Sequence, residues 1–323
     1  MKSIPGLSAC IITLNEEANL KDCLRSLDFA SEIIVVDSGS SDDTCRIAER
    51  AGARVLHRQF DNYISQKNFA IEKARGPWIL FLDADERVGD GLRTEIQDLL
   101  SKSTGEANSM GIQDEDGPGR TALPSKSPGS EAKGPTLPAG YRIPRITHYL
   151  GRWIRHSGWY PDYTIRLFQK GQGHFVGRTF HETVRVDGAY ATLRNPILHF
   201  SYRDIREHLD IINRYSDLFA AERIAAGKKN GIFFSIGKAL VKFLTMYFWK
   251  LGFLDGRVGL VIAILGAYYN FLKYIKVWET GRTGKKGFAI VEPDASDGRE
   301  KSGKPRLPGA RGSTGKRKKE MQI

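Results

Sequence analysis

The sequence predicts an α/β protein with a mostly parallel central sheet, followed by a C-terminal amphipathic helical region. Three observations carry this. Four strand-like runs, Leu7–Leu14, Ile33–Val36, Arg54–His57 and Trp78–Leu82, alternate with stretches of helical spacing. The first, second and fourth runs end abruptly in polar clusters: Asn15-Glu16-Glu17, Asp37-Ser38-Gly39-Ser40 and Asp83-Ala84-Asp85-Glu86. Beyond residue 230, long apolar runs are punctuated by lysines.

Strand followed by helix, repeated, builds right-handed βαβ units and a parallel sheet buried on both faces. Leu20, Cys23, Leu24 and Leu27 mark the apolar side of the first helix. Ser41, Asp42 and Asp43 are candidate N-caps for a second over Thr44–Ala51. A third spans Tyr63–Ala74, with Ile64, Phe69 and Ile71 inward and Gln66, Lys67 and Asn68 exposed near its start. Gly76-Pro77 introduces the fourth strand, which reads as a buried parallel one.

In an open α/β sheet, ligands bind at the carboxyl ends of the strands. Asp83 and Asp85 lie two apart on an extended segment and can converge on one point. Two carboxylates there suit a hard divalent cation that also holds a phosphate; the plain alternative is a loop of solvated acids. Asp37 can accept from a base N–H or a ribose hydroxyl, or it can close a turn on its own backbone. Lys67 can reach a phosphate. No G-x-G-x-x-G follows the first strand and no G-x-x-x-x-G-K-[ST] occurs, which removes the main support for dehydrogenase or P-loop chemistry.

The second half carries a different set of candidate residues. Tyr141–Arg145 and Thr147–Tyr149 read as strands. Trp159 and Tyr160 offer flat apolar faces suited to a sugar ring. Asp162 can take a proton from an acceptor hydroxyl, or simply start a turn after Pro161. Arg166 suits a phosphate or carboxylate, or clamps Asp162. In Phe180–Val184, adjacent side chains on a strand point to opposite faces, so one of His181 and Glu182 faces the site: His181 as a third metal ligand, or Glu182 as a base. His199 and His208 read as structural.

Composition sets the remaining bounds. The chain has 323 residues and a formal charge of +12, which suggests an anionic partner. Residues 281–323 alone hold twelve Lys/Arg against five Asp/Glu, so the folded part is closer to neutral and no nucleic-acid partner is expected. Three cysteines without metal-type spacing fit a reducing cytosol, and Met1–Leu14 lacks the long apolar core of a secretory signal. Residues 101–138, with six Gly, five Pro and six Ser, read as a disordered insertion. Ser201–Ala226 reads as a charged helix. Gly231–Phe253 and Val258–Trp278 are aromatic-rich and apolar with Lys238, Lys242 and Lys250 interspersed, and each falls short of a clean run of roughly twenty apolar residues. They fit an interfacial hairpin on an anionic membrane surface; the alternatives are a helical lobe on the catalytic domain or a spanning hairpin. The expected division is 1–100 for donor binding, 101–138 for the insertion, 139–226 for the acceptor and catalytic half, 227–280 for the helical pair and 281–323 for a disordered basic tail.

Taken together, Thr13-Leu14-Asn15-Glu16-Glu17, Val36-Asp37-Ser38-Gly39-Ser40-Ser41-Asp42, Gln66-Lys67-Asn68 and Phe81-Leu82-Asp83-Ala84-Asp85 resemble family 2 glycosyltransferases of GT-A fold. Together with Gly151–His156 and Gly158–Asp162, they resemble the lipopolysaccharide-core β-1,4-glucosyltransferase branch. The resemblance implies a metal-assisted, inverting transfer of a sugar, glucose, from a UDP-linked nucleotide-sugar. The acceptor would be lipid-linked or a lipopolysaccharide core at the inner face of the cytoplasmic membrane. It places Thr13, Asn15, Glu17 and Asp37 in the nucleotide pocket, with Lys67 and Asn68 near the base or diphosphate. Asp83 then faces the ribose and metal, and Asp85 binds Mn²⁺ or Mg²⁺ directly. The alternatives are a sugar-phosphate nucleotidyltransferase, which needs a Gly-rich basic loop where Asn15-Glu16-Glu17 stands, and a non-catalytic membrane-associated scaffold.

Overall fold

The computed structural model describes residues 3–108, 137–178 and 181–283, with side chains for all of these except 102–108, 178 and 181. Most of the expected insertion and the basic tail lie outside the described residues. The chain runs β1 (Ile4–Thr13), α1 (Glu17–Arg25), β2 (Ala30–Asp37), α2 (Thr44–Arg50), β3 (Arg54–His57), α3 (Tyr63–Lys73), β4 (Trp78–Asp83), β5 (Glu86–Val88) and α4 (Asp90–Asn108). After the undescribed stretch come β6 (Gly140–Tyr149), β7 (Arg152–Ile154), β8 (Asp162–Gln169), β9 (Gly173–Arg178), β10 (His181–Val186), β11 (Tyr190–Thr192) and β12 (Ile197–His199). Three long helices close the described chain: α5 (Ile205–Ala225), α6 (Ile232–Leu244) and α7 (Gly256–Thr283).

The central sheet has the order β3-β2-β1-β4-β8-β6-β12-β5. Its first four strands are parallel, as the alternation of runs predicts. Beyond β4 the sheet turns mixed, because β8 is antiparallel to both β4 and β6, and β12 is parallel to β6 but antiparallel to β5. Register brings the carboxyl ends together: Thr13 stands opposite Asp37, and Ile12 opposite Asp83. Gly76 opens β4 where no side chain fits, since a Cβ there would stand 2.3 Å from the Gly6 carbonyl oxygen.

Both sheet faces are covered. On one face α1, α2 and α4 bury Leu20, Cys23, Leu24, Ala48, Leu92 and Ile96 against Leu7, Ile11, Val35 and Leu80. On the other, α3 and the β9–β10 hairpin bury Ala70, Ile71, Phe175 and Val184 against Ile34, Val36, Ile79 and Phe81. α4 continues to Asn108, eight residues into the stretch whose composition predicts an insertion. The structure also corrects the third helix: Gln66 and Lys67 are buried, at 0% and 4% exposure, where the amphipathic pattern predicts them exposed. Their polar ends reach partners inside the fold, so the helix buries polar groups at its start.

A third cluster joins the sheet to the C-terminal helices through Tyr149, Ile154, Ile212, Met246, Ile262 and Ala263. α6 continues through a π-helical turn at Thr245–Trp249, and a 3₁₀ turn at Gly252–Asp255 leads into α7. Two polar contacts fix this unit. Buried Asp255 accepts from the backbone N–H groups of Arg155 and His156 and pairs with the His156 ring at 3.1 Å. Buried Lys276 on α7 donates to Asn213, Ser216 and Asp217 on α5. By length and composition alone, Ile232–Trp249 and Gly252–Thr283 are each long and apolar enough to cross a membrane, and 11% and 22% of their apolar 18-residue windows is buried.

Candidate active site

The strand ends open onto a cavity of about 440 Å³ walled by Thr13, Glu16, Tyr63, Lys67, Asp83, Asp85, Glu182, His199 and Tyr215 among others. Asp83 ends β4 and is held from two sides: Lys67 Nζ approaches one oxygen at 3.1 Å and Arg166 donates to the other at 2.6 Å. Burial opposes its charge, but the two cations outweigh it and hold the carboxyl well below the usual carboxylate range. Arg166 also donates to fully buried Glu86 at 2.9 Å, and Glu86 accepts from Arg145 and from the Asp83 backbone N–H. Lys67 further pairs with Glu182 at 3.1 Å.

Asp85 sits in the turn after β4, and its partner is His199, with Nε2 3.2 Å from Oδ2. The pairing of β12 with β5 sets His199 opposite Glu86, and the Phe200 N–H donates to the Asp85 carbonyl at 2.9 Å. His199, read from its apolar strand as structural, thus lines the cavity beside Asp85. The signal available in sequence is a histidine at the very end of an apolar run, where the other strands also place their polar groups. His181 begins β10, and its side chain lies outside the described residues.

Asp162 opens β8 directly opposite Arg145, whose Nε donates to it at 3.0 Å. The clamp on Asp162 is thus Arg145, and Arg166 instead bridges Asp83 and Glu86. The Asp162 carboxylate is half exposed and borders a smaller cavity with Trp159, His199, Ser201 and Tyr202.

The loop residues fall differently from the expectation. Asp37 is buried and accepts from Thr13 at 3.1 Å, from the backbone N–H groups of Gly39 and Ser40 at 2.9 Å, and from the Ser40 hydroxyl. Burial raises its pKa, but these donors outweigh it and leave the carboxyl below its ordinary value. Asn15 accepts from Ser41 N–H, and Glu17 accepts from Asp43 N–H, so both brace the neighbouring loop. Of the acids after β1, Glu16 lines the cavity; burial pushes its carboxyl up to about 7, with Asp85 and Asp42 adding to the shift. Asn68 exchanges two hydrogen bonds with the Phe175 backbone and fastens β9 to α3. Among the described residues, Asp37, Cys45 and His57 also bring three potential ligand atoms within 4.8 Å, but the Asp37 oxygens are already spoken for by Thr13, Gly39 and Ser40.

Carboxylates at the ends of parallel strands, an imidazole from the mixed half and a half-exposed carboxylate braced by arginine suit a transferase that acts on a nucleotide-sugar. The chain belongs to glycosyl transferase family 2, whose profile matches residues 8–178, and it is a glycosyltransferase with a sugar donor and an acceptor as substrates. Among its relatives is the lipopolysaccharide core biosynthesis glycosyltransferase LpsC of Rhizobium meliloti, 30% identical over 84% of this chain and 92% of that one. An uncharacterized glycosyltransferase of Rickettsia typhi is 28% identical over 84% and 87%. Among solved structures, glucosyl-3-phosphoglycerate synthase from Mycobacterium tuberculosis is 29% identical over 25% of this chain and 33% of its own, with a TM-score of 0.23.

Proposed function

We propose that the protein transfers glucose from UDP-glucose, with inversion, to a lipopolysaccharide-core acceptor at the inner face of the cytoplasmic membrane. The observation that carries the reading is the Asp85–His199 pair at 3.2 Å in the wall of the strand-end cavity. A carboxylate oxygen and an imidazole nitrogen, one from the β4 turn and one from β12, suit Mn²⁺ or Mg²⁺. A cation held there would supply charge neutralisation to the departing nucleoside diphosphate. Asp83, neutralised by Lys67 and Arg166, is better placed to accept from a ribose hydroxyl than to bind metal. Thr13 and Ser38 border the same cavity on the nucleoside side.

On the acceptor side, Asp162 accepts the proton of the attacking hydroxyl, and Arg145 holds its carboxylate in position for that. Glu182 is the second candidate, but its bond to Lys67 commits it to the charge network around Asp83. The lipopolysaccharide acceptor rests on the likeness to LpsC. For the membrane, the support is the exposed apolar surface of α6 and α7: Phe233 and Trp249 are 86% and 83% exposed, with Ile236, Leu240, Leu244 and Ile264 beside them. Lying on the surface fits better than spanning it, because Lys276 ties α7 to charged α5.

The test is transfer from UDP-glucose to rough lipopolysaccharide, with Mn²⁺ and with EDTA. Metal-dependent release of UDP coupled to acceptor glucosylation is the expected result. UDP-glucose turnover that is indifferent to EDTA would overturn the metal role, and transfer from a different nucleotide-sugar would overturn the donor.

A further inference from the structure

We infer that the cavity roofed by α6 and α7 is the acceptor subsite, and that Arg214, Lys242 and Lys250 in it read an anionic group on the acceptor saccharide. The inference rests on the glycosyltransfer reading above and names residues on its acceptor side. This cavity, of about 610 Å³, is larger than the donor cavity, and His199 and Tyr215 line both. It also shares Gly158, Trp159, Ser201 and Tyr202 with the small cavity at Asp162. A sugar whose hydroxyl lies at Asp162 and His199 therefore has this lining next to it.

Its lining has the chemistry of an anionic saccharide site. The rings of Trp159, Tyr202 and Tyr269 face it, and such rings cover the C–H faces of sugars. Three cations line it and, among the described residues, no Asp or Glu does. Lys67, Arg145, Arg166 and Lys276, by contrast, each pair with a carboxylate. Among the described residues, Arg214, Lys242 and Lys250 form no ion pair. The Lys250 stem passes over Gly158, next in sequence to Trp159, where an added Cβ would meet its Cγ at 3.7 Å. Uncompensated positive charge beside low-dielectric walls attracts phosphate or carboxylate and bonds it with charge-assisted hydrogen bonds. Lys242 and Lys250 also belong to the segment bearing the exposed apolar surface, so an acceptor anchored in lipid enters past them.

The test is steady-state kinetics in neutral detergent micelles, which remove any anionic membrane surface. The donor is UDP-glucose, and the acceptors are deep-rough lipopolysaccharide intact, dephosphorylated with hydrofluoric acid, or carboxyl-reduced. K242Q/K250Q is expected to raise the acceptor KM about tenfold while leaving the donor KM within about twofold. R214Q, on a different helix, should act in the same direction, and K242R/K250R should restore the wild-type value. K228Q/K229Q removes the same charge outside the cavity and should leave the acceptor KM unchanged. Whichever stripped acceptor is penalised with wild type, and not penalised further with K242Q/K250Q, identifies the anion as phosphate or carboxylate. An unchanged acceptor KM in K242Q/K250Q and R214Q, or an equal rise in K228Q/K229Q, overturns the subsite. No transfer by the wild-type protein to the intact acceptor overturns the assigned reaction instead.

Discussion

His199 Nε2 stands 3.2 Å from Asp85 Oδ2, and the two residues reach one another only because β12 pairs antiparallel with β5. The pair predicts a shared phenotype. His199→Ala and Asp85→Ala should each raise the Mn²⁺ concentration needed for half-maximal activity. Outer partners of a bound metal typically cost roughly 10- to 100-fold when removed, so loss of either direct holder should reach at least that range. A metal titration of initial rates checks it, and an unchanged Mn²⁺ dependence in either variant would remove that residue from the metal role.

Asp162 and Glu182 are separable by kinetics. A positioned general base contributes roughly 10²- to 10⁴-fold. Asp162→Asn should lose kcat in that range and still bind UDP normally by calorimetry. Glu182→Gln should show a smaller loss together with tighter UDP binding, because it removes a negative charge from the cavity wall and frees Lys67 from one of its two carboxylates. The reverse pattern would reassign the base to Glu182.

Arg166 is a stability determinant as much as a site residue. It is 4% exposed and holds both Asp83 and fully buried Glu86. Removing one partner of a buried ion pair is costly because the other charge stays buried. Arg166→Leu should destabilise by about 3 kcal/mol, the lower end of that effect, since Lys67 and Arg145 still reach the two acids. Urea denaturation measures it.

The donor half was legible because burial and periodicity agree there. The apolar runs of β1, β2 and β4 end where their polar clusters begin, and the register aligns Thr13 with Asp37 and Ile12 with Asp83. Pairing in the mixed half was not legible, because strand order beyond β4 depends on contacts distant in sequence. That is why His199 looked like a core histidine, and why the partner of Asp162 is Arg145 across the ladder instead of Arg166 on its own strand. Gln66 and Lys67 misled for a different reason. Helical periodicity sorts residues by polarity, and a helix that buries polar groups against partners breaks that rule; here Gln66 donates to Ser38, and Lys67 meets Asp83 and Glu182.

His208 on α5 predicts an acid-side loss of stability. Burial pushes its pKa down from 6.5 to about 4, and Tyr149 lies 2.9 Å from its Nδ1. A histidine depressed in the folded state contributes stability that is present above the unfolded value and lost as pH falls through the folded one. The window therefore runs from pH 6.5 down to about 4, and the gap corresponds to about 3 kcal/mol. His208→Gln should flatten the slope of unfolding free energy in that window, whatever its effect at neutral pH. A wild-type slope retained in the variant would assign the acid loss elsewhere.

The apolar surface of α6 and its π-helical turn predicts lipid binding that survives salt. Phe233→Ser with Trp249→Ser should sharply reduce co-sedimentation with vesicles containing anionic lipid, since each large side chain contributes about 1.5–3 kcal/mol on full burial. High salt should weaken wild-type binding without abolishing it, because only the lysine contribution is screened. No difference between variant and wild type would leave the hairpin without a lipid role.

The Asp255 and Lys276 contacts have a geometric consequence. One ties the turn before α7 to the backbone at Arg155 and His156, and the other ties the far end of α7 to α5. Helical pair and catalytic cleft are thereby locked at a single elevation with respect to whatever plane Phe233 and Trp249 rest upon. An acceptor hydroxyl must then present itself at that elevation, by the length and bend of its own glycan. Reach, as well as contact, becomes a criterion by which the enzyme sorts its acceptors.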